Sequence, residues 1–456
     1  MMDATRDADL IAEGASPIVG PVGPGSHGSS QRQAGGRIPE DWGSASAEVQ
    51  GVRRNLRILH VTPIYEPAWN AGGIVRSTSV LCRSLGRLGH DVQVVTTDSD
   101  GSGHLDVDRS GPVAVGDVRV HYIHTQMPGL FRYASGMKAC LDALAGRVDV
   151  VHITSFWNHP GIVAARVCRQ LRIPYVVSTR GTFLPDAMGH GRVRKWAYLK
   201  LFDEKVLENA AAFHYTSGLE RDRTWVPAHR RPSFVIPNGL DLSRFGQVPP
   251  ADLARRGLGL GLDPGDAVVG FLGRIHRIKG LDVFLRAFAR ACAGIPNMRF
   301  LIAGPDDGYQ STLQRLAGDM GLGDRVVFMG PLHGARKIDF LAALDLLSLV
   351  SWSENFGNAG AEAMAAGTPV MVSENVGLSD FVRQTGAGLV VPVQEEAMAS
   401  ALVEAFADRG RLRHMGQLAR ETAFGCFSDG AVARLMSLAY EDVLTGRRSP
   451  ECRWSD

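Results

Sequence analysis

Short apolar runs alternate with stretches of helical length along most of this chain, and this alternation restricts the fold more than any other feature. Each run has the length and the Val and Ile content of a strand buried on both faces, as in parallel sheets. Because strands that alternate with helices build a parallel sheet covered by helices, the sequence predicts an α/β fold. The first series comprises LRILHVT (56–62), VQVVTT (92–97), VDVVHIT (148–154), PYVVST (174–179) and AFHYTS (211–216), with helices such as 74–88 and 160–171 between them.

A second series of the same kind follows PNGLDLSRF (237–245), whose turn residues indicate a linker. At 456 residues the chain is too long for one compact core, so we expect two Rossmann-like, doubly wound domains that face a cleft. In such sheets ligands bind beyond the carboxyl ends of the strands. The strands of this series are AVVGFLGR (267–274), MRFLIAG (298–304), RVVFMG (325–330), LLSLVS (346–351), PVMVSE (369–374) and AGLVVP (387–392).

The predicted domain organisation begins with a tail over 1–54, whose Gly, Ser and Pro content is typical of a disordered segment. An N-terminal domain over 55–236 and a C-terminal domain over 237–424 follow. A helix over 425–447 is expected to return to the first domain. The polar residues 448–456 are expected to form a frayed tail.

Charge and cysteine content exclude several classes of protein. The 49 Lys and Arg residues balance 47 Asp and Glu residues, so no overall field favours nucleic acid. The six cysteines lie far apart and show no zinc-binding spacing, which fits a reduced compartment. No apolar run approaches the roughly 20 residues that span a bilayer. The acidic start lacks the apolar region of a signal peptide, so we expect a cytoplasmic protein.

The segment SWSENFGNAGAEAMAAGTPV (351–370) runs from a strand end through a loop into a helix that Gly367 and Pro369 terminate. Glu354 lies in the loop and Glu362 one turn inside the helix. The helix N-terminus between them offers unpaired N–H groups and a positive dipole end. A single glutamate here would more simply cap the helix. Two carboxylates that flank an anion site suit a ligand with a sugar, a diphosphate and a ribose.

The segment GFLGRIHRIKG (270–280) places Arg274 and Lys279 on one strand-to-helix loop. A planar guanidinium and a mobile ammonium are good ligands for a diphosphate. In isolation both could be solvated surface cations. Together with the glutamate pair they favour an anionic ligand.

These motifs resemble those of retaining glycosyltransferase family 4, which has the GT-B fold. GRIHRIKG is followed about 80 residues later by ENFGNAGAE. The resemblance extends to IPNGLDLSRF at the linker, to AGTPV after the glutamate helix, and to AGGIVRSTSVLCRSLGRLGHDVQVVTT near the start. It covers about residues 56–445.

The resemblance implies a hexosyltransferase that uses a nucleotide-diphosphate sugar, with no cofactor and no metal. The acceptor would be a hydroxyl of a saccharide or lipid-linked saccharide in bacterial cell-surface polysaccharide or glycoconjugate biosynthesis, bound by the N-terminal domain. The implied catalytic residues are Glu354, Arg274 and Lys279. Arg274 and Lys279 would hold the diphosphate, Glu362 the ribose and Glu354 the transferred sugar. The implied donor-binding residues are Glu362, Gly72, Gly73, Asn355, Phe356, Gly357 and Asn358.

On the acceptor side the chain departs from the family pattern. Many members carry His-x-His after the strand that matches VDVVHIT, whereas this chain has His152 followed by Thr154. We interpret His152 as a hydrogen-bonded structural residue. Which residue takes over acceptor positioning is left open. The candidates are Trp157, Asn158, His159, which can also simply start a helix, and Arg180, which can also form a structural ion pair.

The segment 189–207 mixes basic and aromatic residues and could touch an anionic membrane surface at the cytoplasmic face. A solvated helix face over packed aromatics explains the same pattern.

Rival functions lack their motifs. Metal-dependent transferases need Asp-x-Asp at a strand end, and we expect Asp98-Ser-Asp100 and Asp106-Val-Asp108 to be solvated loop acids. The dinucleotide fingerprint is absent, because GLGLGLDPG (257–265) has the wrong spacing and precedes its strand. A sugar-nucleotide epimerase of the same fold and a non-catalytic bilobed binding protein remain as alternatives.

Overall fold

The computed structural model of the chain describes residues 54–129, 131–189, 195, 204–224 and 231–455. The predicted tail over 1–54 lies outside these residues except for its last one, and the basic, aromatic segment 189–207 lies mostly outside them. The described part is a mixed α/β structure with two large sheets, as predicted. We call the sheets, with their helices, the first and the second lobe.

The first sheet has the strand order β10-β9-β8-β7-β1-β2-β6-β5, and all its neighbouring strands are parallel except β5 and β6. Its strands are β1 (Arg57–Val61), β2 (Asp91–Thr97), β5 (Val113–Val115), β6 (Val118–Ile123), β7 (Val150–Thr154), β8 (Tyr175–Ser178), β9 (Ala212–Tyr215) and β10 (Ser233–Val235), and a small hairpin of β3 (Ser99–Asp100) and β4 (Gly103–His104) follows β2. Its helices are α1 (Gly73–Arg87), α2 (Met137–Ala145), α3 (His159–Leu171), α4 (Pro185–Gly189), α5 (Glu204–Glu208) and α6 (Gly218–Arg223).

The second sheet is parallel throughout, with the order β13-β12-β11-β14-β15-β16. Its strands are β11 (Ala267–Leu272), β12 (Met298–Ala303), β13 (Val326–Gly330), β14 (Leu346–Leu349), β15 (Val370–Ser373) and β16 (Gly388–Val391). The helices are α7 (Ala251–Leu258), α8 (Leu281–Ala291), α9 (Gln310–Asp319), α10 (Gly334–Ala343), α11 (Asn358–Ala366), α12 (Ser379–Thr385), α13 (Glu395–Ala407), α14 (Arg409–Cys426) and α15 (Asp429–Thr445).

Both sheets reverse their strand order next to their first strand. From β1 the chain adds β2 on one side and later β7 on the other, and from β11 it adds β12 and later β14 in the same manner. The crevice beyond the carboxyl ends at such a reversal is where open α/β sheets bind ligands. We therefore expect a ligand-binding site at the loops that follow β1, β7, β11 and β14.

Every strand predicted from an apolar run is present. Most of these strands are buried on both faces; β7, for example, is buried at all five positions. The edge strands β13 and β16 are only partly buried. Strand β6 falls outside the predicted set. Its residues alternate between buried and more exposed positions, and its only further neighbour is the short antiparallel edge strand β5. A search for continuous apolar runs does not detect a strand of this kind.

The chain crosses between the lobes at two places that lie side by side. The Leu240 amide donates to the Phe427 carbonyl at 2.8 Å, and the Asp429 amide donates to the Leu240 carbonyl at 3.0 Å. After this second crossing α15 packs on the first lobe, where Met436 and Tyr440 are fully buried among residues of the first sheet.

The prediction that the last residues are frayed is wrong as far as Ser455. Cys452 is fully buried, and the Trp454 indole packs on Phe234 at a centroid distance of 5.0 Å. Ser455 then pairs with Ser233 through two backbone hydrogen bonds and so extends the edge of the first sheet. The segment looks polar as a whole, but its two apolar side chains hold it in place.

Two simpler findings concern membrane and redox chemistry. Among the described helices, none combines the length and apolar character needed to cross a membrane. No disulfide joins the six cysteines, all of which lie in the described part of the chain.

Candidate active site

The loop after β11 carries the two predicted diphosphate ligands. Arg274 is exposed, and its guanidinium pairs with Asp307 at 2.6 Å. The loop then makes a 3₁₀ turn over Arg277–Lys279 and leaves through Gly280, whose φ is +65°. A Cβ atom on Gly280 would lie 2.5 Å from the Val350 carbonyl oxygen. Only glycine lets this loop close against the end of β14, and this contact brings Lys279 to the glutamate loop.

Lys279 donates a hydrogen bond to the Glu354 carboxylate, and the two side chains are 14% and 23% exposed. The Glu354 backbone is held on both sides, since its amide donates to the Asn375 carbonyl at 3.1 Å and its carbonyl accepts from the Gly377 amide at 3.0 Å. A predicted phosphate ligand and the predicted sugar ligand therefore lie side by side at the reversal of the second sheet.

Helix α11 begins directly after this loop. Phe356 is 2% exposed and packs edge-on against Phe381 and Phe427, which anchors the loop in the core of the second lobe. Gly357 precedes the helix with φ +101°, and a Cβ atom there would approach a Leu349 methyl carbon at 2.9 Å. Phe356 and Gly357 thus fix where the helix starts. The helix ends at Gly367, as predicted.

Glu362 lies in the second turn of α11 and forms an ion pair with Lys337 of α10 at 2.6 Å. Both side chains are 19% exposed. Sequence reasoning missed Lys337. The available signal was a lysine in the first turn of a helix, near the positive end of the helix dipole, where a cation is disfavoured.

The first lobe reaches the start of α11 through Gly73 and Asn238. Gly73 begins α1, and a Cβ atom on it would lie 2.8 Å from Asn358 Nδ2. Asn238 donates to Asn358 Oδ1 at 3.0 Å and accepts a hydrogen bond from Arg180. The glycine turn of the first lobe and the helix tip of the second are therefore in contact.

In the described part of the chain, Arg180 forms the hydrogen bond to Asn238 and no ion pair at hydrogen-bonding distance, and burial lowers the pKa of its guanidinium. Its backbone has φ +54°, a left-handed conformation that is costly for a residue with a Cβ atom. A second contact between the lobes lies nearby, where Asn355 Nδ2 donates to Thr216 Oγ1 at 2.9 Å and the Asn355 carbonyl accepts from Ser217 at 3.2 Å.

The predicted acceptor-side residues Trp157 and Asn158, which follow β7, contact mainly residues of the first lobe near them. Asn158 is 3% exposed and caps α3, with Oδ1 accepting from the Gly161 amide at 3.1 Å and Nδ2 donating to the Phe156 carbonyl at 3.1 Å. Both ends of its amide are used locally, so we assign Asn158 to the helix cap rather than to the acceptor. Trp157 has φ +63° and packs against Phe156 and Phe183 at centroid distances of 5.4 and 5.5 Å.

His159 is the first residue of α3, and its Nδ1 accepts a hydrogen bond from the Ala134 amide at 3.3 Å. The ring proton therefore lies on Nε2 in the neutral tautomer. Burial lowers the pKa of His159, and the charge of Arg166 adds to this effect. In this state His159 can donate a hydrogen bond to a bound hydroxyl, but it is not arranged as a base.

Comparison with known proteins now decides the family. The model for "Glycosyl transferase 4-like domain" matches residues 72–239, and that for "Glycosyl transferases group 1" matches residues 266–408. Together they cover well over half of the chain. The chain is a family 4 glycosyltransferase.

Relatives are named as glycosyltransferases, and a solved structure shares the fold. A D-inositol 3-phosphate glycosyltransferase of Nocardia farcinica is 40% identical over 200 residues, 42% of this chain, and the match spans 43% of that relative's length. The enzyme of the same name from Mycobacterium sp. (strain KMS) is 28% identical over 371 residues, 77% of this chain and 82% of the relative. The HepE protein of Anabaena, solved with UDP and glucose, matches with a TM-score of 0.63 at 18% identity, over 85% of this chain and all of that one.

The glycosyltransferase replaces the family's second histidine by Thr154, and the structure shows what Thr154 contacts. Its hydroxyl hydrogen-bonds to His60 Nε2 at 2.8 Å, and the His60 ring stacks on His152 at 4.6 Å. His152 Nδ1 in turn bonds to the Tyr440 hydroxyl at 2.6 Å. His152 is fully buried, so the interpretation of His152 as a hydrogen-bonded structural residue is confirmed.

A third buried histidine completes this cluster. His214 Nδ1 bonds to Ser178 at 2.8 Å, and its Nε2 donates to the Ile236 carbonyl at 2.8 Å. Burial lowers the pKa of His60 and of His214 to about 3, and it lowers the pKa of His152 well below the usual value. The positive charge of Arg180 acts in the same direction on all three.

The prediction that Asp98 is a solvated loop acid is wrong, whereas Asp106 and Asp108 are exposed as expected and Asp100 is partly exposed. Asp98 is fully buried at the end of β2. Its carboxylate accepts hydrogen bonds from the Thr125 amide at 2.9 Å, Arg109 at 2.8 Å, His124 at 2.9 Å and His104 at 3.2 Å.

Burial acts to raise the pKa of Asp98, but these donors outweigh it and lower the pKa to about 2. Asp98, His104 and His124 place three ligand-type atoms within 4.8 Å of one another. Arg109 and the Thr125 amide bond to the same carboxylate, however. We therefore interpret the Asp98 carboxylate as a structural hydrogen-bond acceptor that holds the hairpin β3–β4 against the ends of β2 and β6.

Proposed function

We propose that this glycosyltransferase is a retaining, metal-independent hexosyltransferase that uses a nucleotide-diphosphate sugar. The acceptor is a hydroxyl of a saccharide or lipid-linked saccharide, in bacterial cell-surface polysaccharide or glycoconjugate biosynthesis at the cytoplasmic face of the membrane. The observation that carries the proposal is the contact between Lys279 and Glu354 just before the start of α11.

Departure of the diphosphate builds negative charge on the leaving group and positive character on the sugar. Arg274, Lys279 and the first N–H groups of α11 would supply fixed positive charge for the leaving group. No step in this account needs a metal ion. Glu354, which lies beside Lys279, would accept hydrogen bonds from the hydroxyls of the transferred sugar. Retention would follow from attack on the face of the sugar that the diphosphate leaves.

Binding of the donor would then give several charges of the site a new partner. In the structure Arg274 pairs with Asp307, Lys279 with Glu354, and Lys337 with Glu362. A donor brings phosphate oxygens for Arg274 and Lys279 and hydroxyl groups for the two glutamates. Without the donor each of these charges is paired within the protein, so no buried charge is left alone when the donor leaves.

The test is release of free nucleoside diphosphate from a panel of labelled nucleotide sugars, with and without acceptors. UDP-sugars come first, because the HepE structure contains UDP, and inositol 3-phosphate joins the saccharide acceptors because the relatives are named for it. We expect acceptor-dependent release that EDTA leaves unchanged. Loss of turnover in EDTA would contradict the metal-free mechanism.

The same assay separates the two alternatives. An epimerase would interconvert the sugar nucleotide without any need for an acceptor. A binding protein would retain the nucleotide sugar and release nothing over hours. Either result would remove the proposed transfer.

Glu362→Ala is expected to weaken binding of the nucleotide sugar about tenfold to a hundredfold, since one or two hydrogen bonds to a charged group are lost. Isothermal titration calorimetry measures this directly. Glu421→Ala, which removes an exposed acid of α14, is the matched control. Unchanged affinity in Glu362→Ala would refute the ribose role.

A further inference from the structure

Lys337 is the one cation of these three ion pairs that the motifs of the sequence did not indicate. It lies on α10, whereas its partner Glu362 lies on α11, and Nζ is 2.6 Å from Oε1. Each side chain is 19% exposed, so the pair is largely withdrawn from water. Pairs at this depth are screened less by solvent than surface pairs are.

The position of Lys337 is unfavourable for the helix itself. It is the fourth residue of α10, close to the helix N-terminus, where the dipole repels a cation and favours an acid. A largely buried lysine at this position therefore destabilises the helix, and the ion pair with Glu362 offsets this destabilisation. A local rule broken in this way is more often found at functional sites than elsewhere.

The ion pair uses only one oxygen of the carboxylate. Among the described residues, Lys337 is the one hydrogen-bond donor to Glu362, and it contacts Oε1. Oε2 is left to accept a hydrogen bond from a ligand. Because the glutamate side chain has three rotatable bonds, holding Oε1 also fixes the direction in which Oε2 points.

We infer that Lys337 is a positioning residue that holds Glu362 oriented toward the ribose hydroxyls of the nucleotide donor. The inference rests on the proposed function, because it takes Glu362 as the ribose ligand. Lys337 acts through Glu362 and takes no part in the transfer step itself. Its loss should therefore weaken recognition of the ribose and leave the turnover of bound donor unchanged.

The experiment measures binding of UDP, GDP and ADP and of their 2′-deoxy counterparts by isothermal titration calorimetry. The variants are Lys337→Met, which removes the charge, and Lys337→Arg, which keeps it. Arg290→Met is the matched control, because Arg290 also pairs with a glutamate, Glu395, in the second lobe but on other helices. Thermal unfolding of each variant checks that the chain is folded.

For Lys337→Met we expect about a tenfold loss of affinity for the diphosphate that binds the wild type, as for one lost hydrogen bond to a charged group. Affinity for the 2′-deoxy counterpart should change less than threefold, so the preference for ribose collapses. Lys337→Arg should restore the preference for ribose. In Lys337→Met the kcat of the transfer reaction should stay within twofold of wild type. Arg290→Met should change the affinity for neither the ribose nor the deoxyribose form.

Two results would overturn the inference while leaving the proposed function standing. One is unchanged affinity in Lys337→Met, and the other is an equal loss for ribose and deoxyribose forms, which would mean that Lys337 contacts another part of the nucleotide. If the wild type binds none of the three diphosphates, the proposed function itself fails and the inference fails with it.

Discussion

Replacing Arg274 and Lys279 together by alanine is expected to lower kcat/KM for the nucleotide sugar by about 10²- to 10⁴-fold. Each residue would donate charge-assisted hydrogen bonds to the diphosphate, worth about 1.5–3 kcal/mol apiece. These bonds should strengthen as charge develops on the leaving group, so most of the loss should appear in kcat. Steady-state kinetics with release of nucleoside diphosphate provide the measurement.

The two single variants should differ. Lys279 is 14% exposed and lies against Glu354, whereas Arg274 is 66% exposed and pairs with an exposed aspartate. Solvent weakens interactions at Arg274 more strongly, so Lys279→Ala should account for most of the loss. Arg277→Ala, which removes an exposed cation from the same turn, is the matched control. A double variant with the kcat/KM of the wild type would remove the diphosphate assignment.

Acidification is expected to destabilise the fold strongly between pH 6.5 and pH 5. His60, His152 and His214 are buried and neutral, and their pKa values in the folded protein are lowered, to about 3 for His60 and His214. In the unfolded chain a histidine titrates near 6.5. Below that pH the unfolded state binds more protons than the folded state, so the stabilisation present above pH 6.5 is lost as the pH falls.

The expected magnitude is about 1.5–2 kcal/mol per histidine between pH 6.5 and pH 5, or about 5 kcal/mol for the three. A whole domain is stable by only about 5–15 kcal/mol, so the effect should be plain in urea unfolding at several pH values. Carboxylates titrate mostly below this window, which separates their contribution from that of the histidines.

Single variants isolate each contribution. Replacing His60 or His214 by asparagine should reduce the dependence of the unfolding free energy on pH by about one proton, whatever it does to stability at neutral pH. The same replacement at His333, whose ring is exposed, is the matched control. An unchanged slope in both core variants would contradict the assignment of neutral, buried rings.

The sequence was sufficient to predict most of the strands, for a physical reason. Strands buried on both faces must be apolar throughout, so they can be recognised from local sequence. Residues that directly follow such strands lie at the carboxyl edge of the sheet whatever the details of packing. Arg274, Lys279 and Glu354 lie on the loops that follow β11 and β14, and because these strands are neighbours the two loops can meet, as the contact between Lys279 and Glu354 shows.

Other features depend on partners that are distant in the chain, and local patterns do not carry them. Asp98 looks like a loop acid until His124 and Arg109 fold over it. Asn158 looks available to a ligand until the helix that it caps is in place. The presence of a lysine at position 337 is explained only by its ion pair with Glu362, which lies on another helix.

The two adjacent crossings between the lobes set the boundaries for any chimaera made with a related transferase. Because Tyr440 fills the first lobe and bonds to His152, a chimaera that replaces only residues 55–236 would leave a foreign α15 against the new sheet. The piece that can be exchanged as a whole joins residues 54–239 to 428–455. Its two junctions meet at Leu240, so the first lobe and α15 could be transplanted together through a single junction in space, although two splices are needed in the gene.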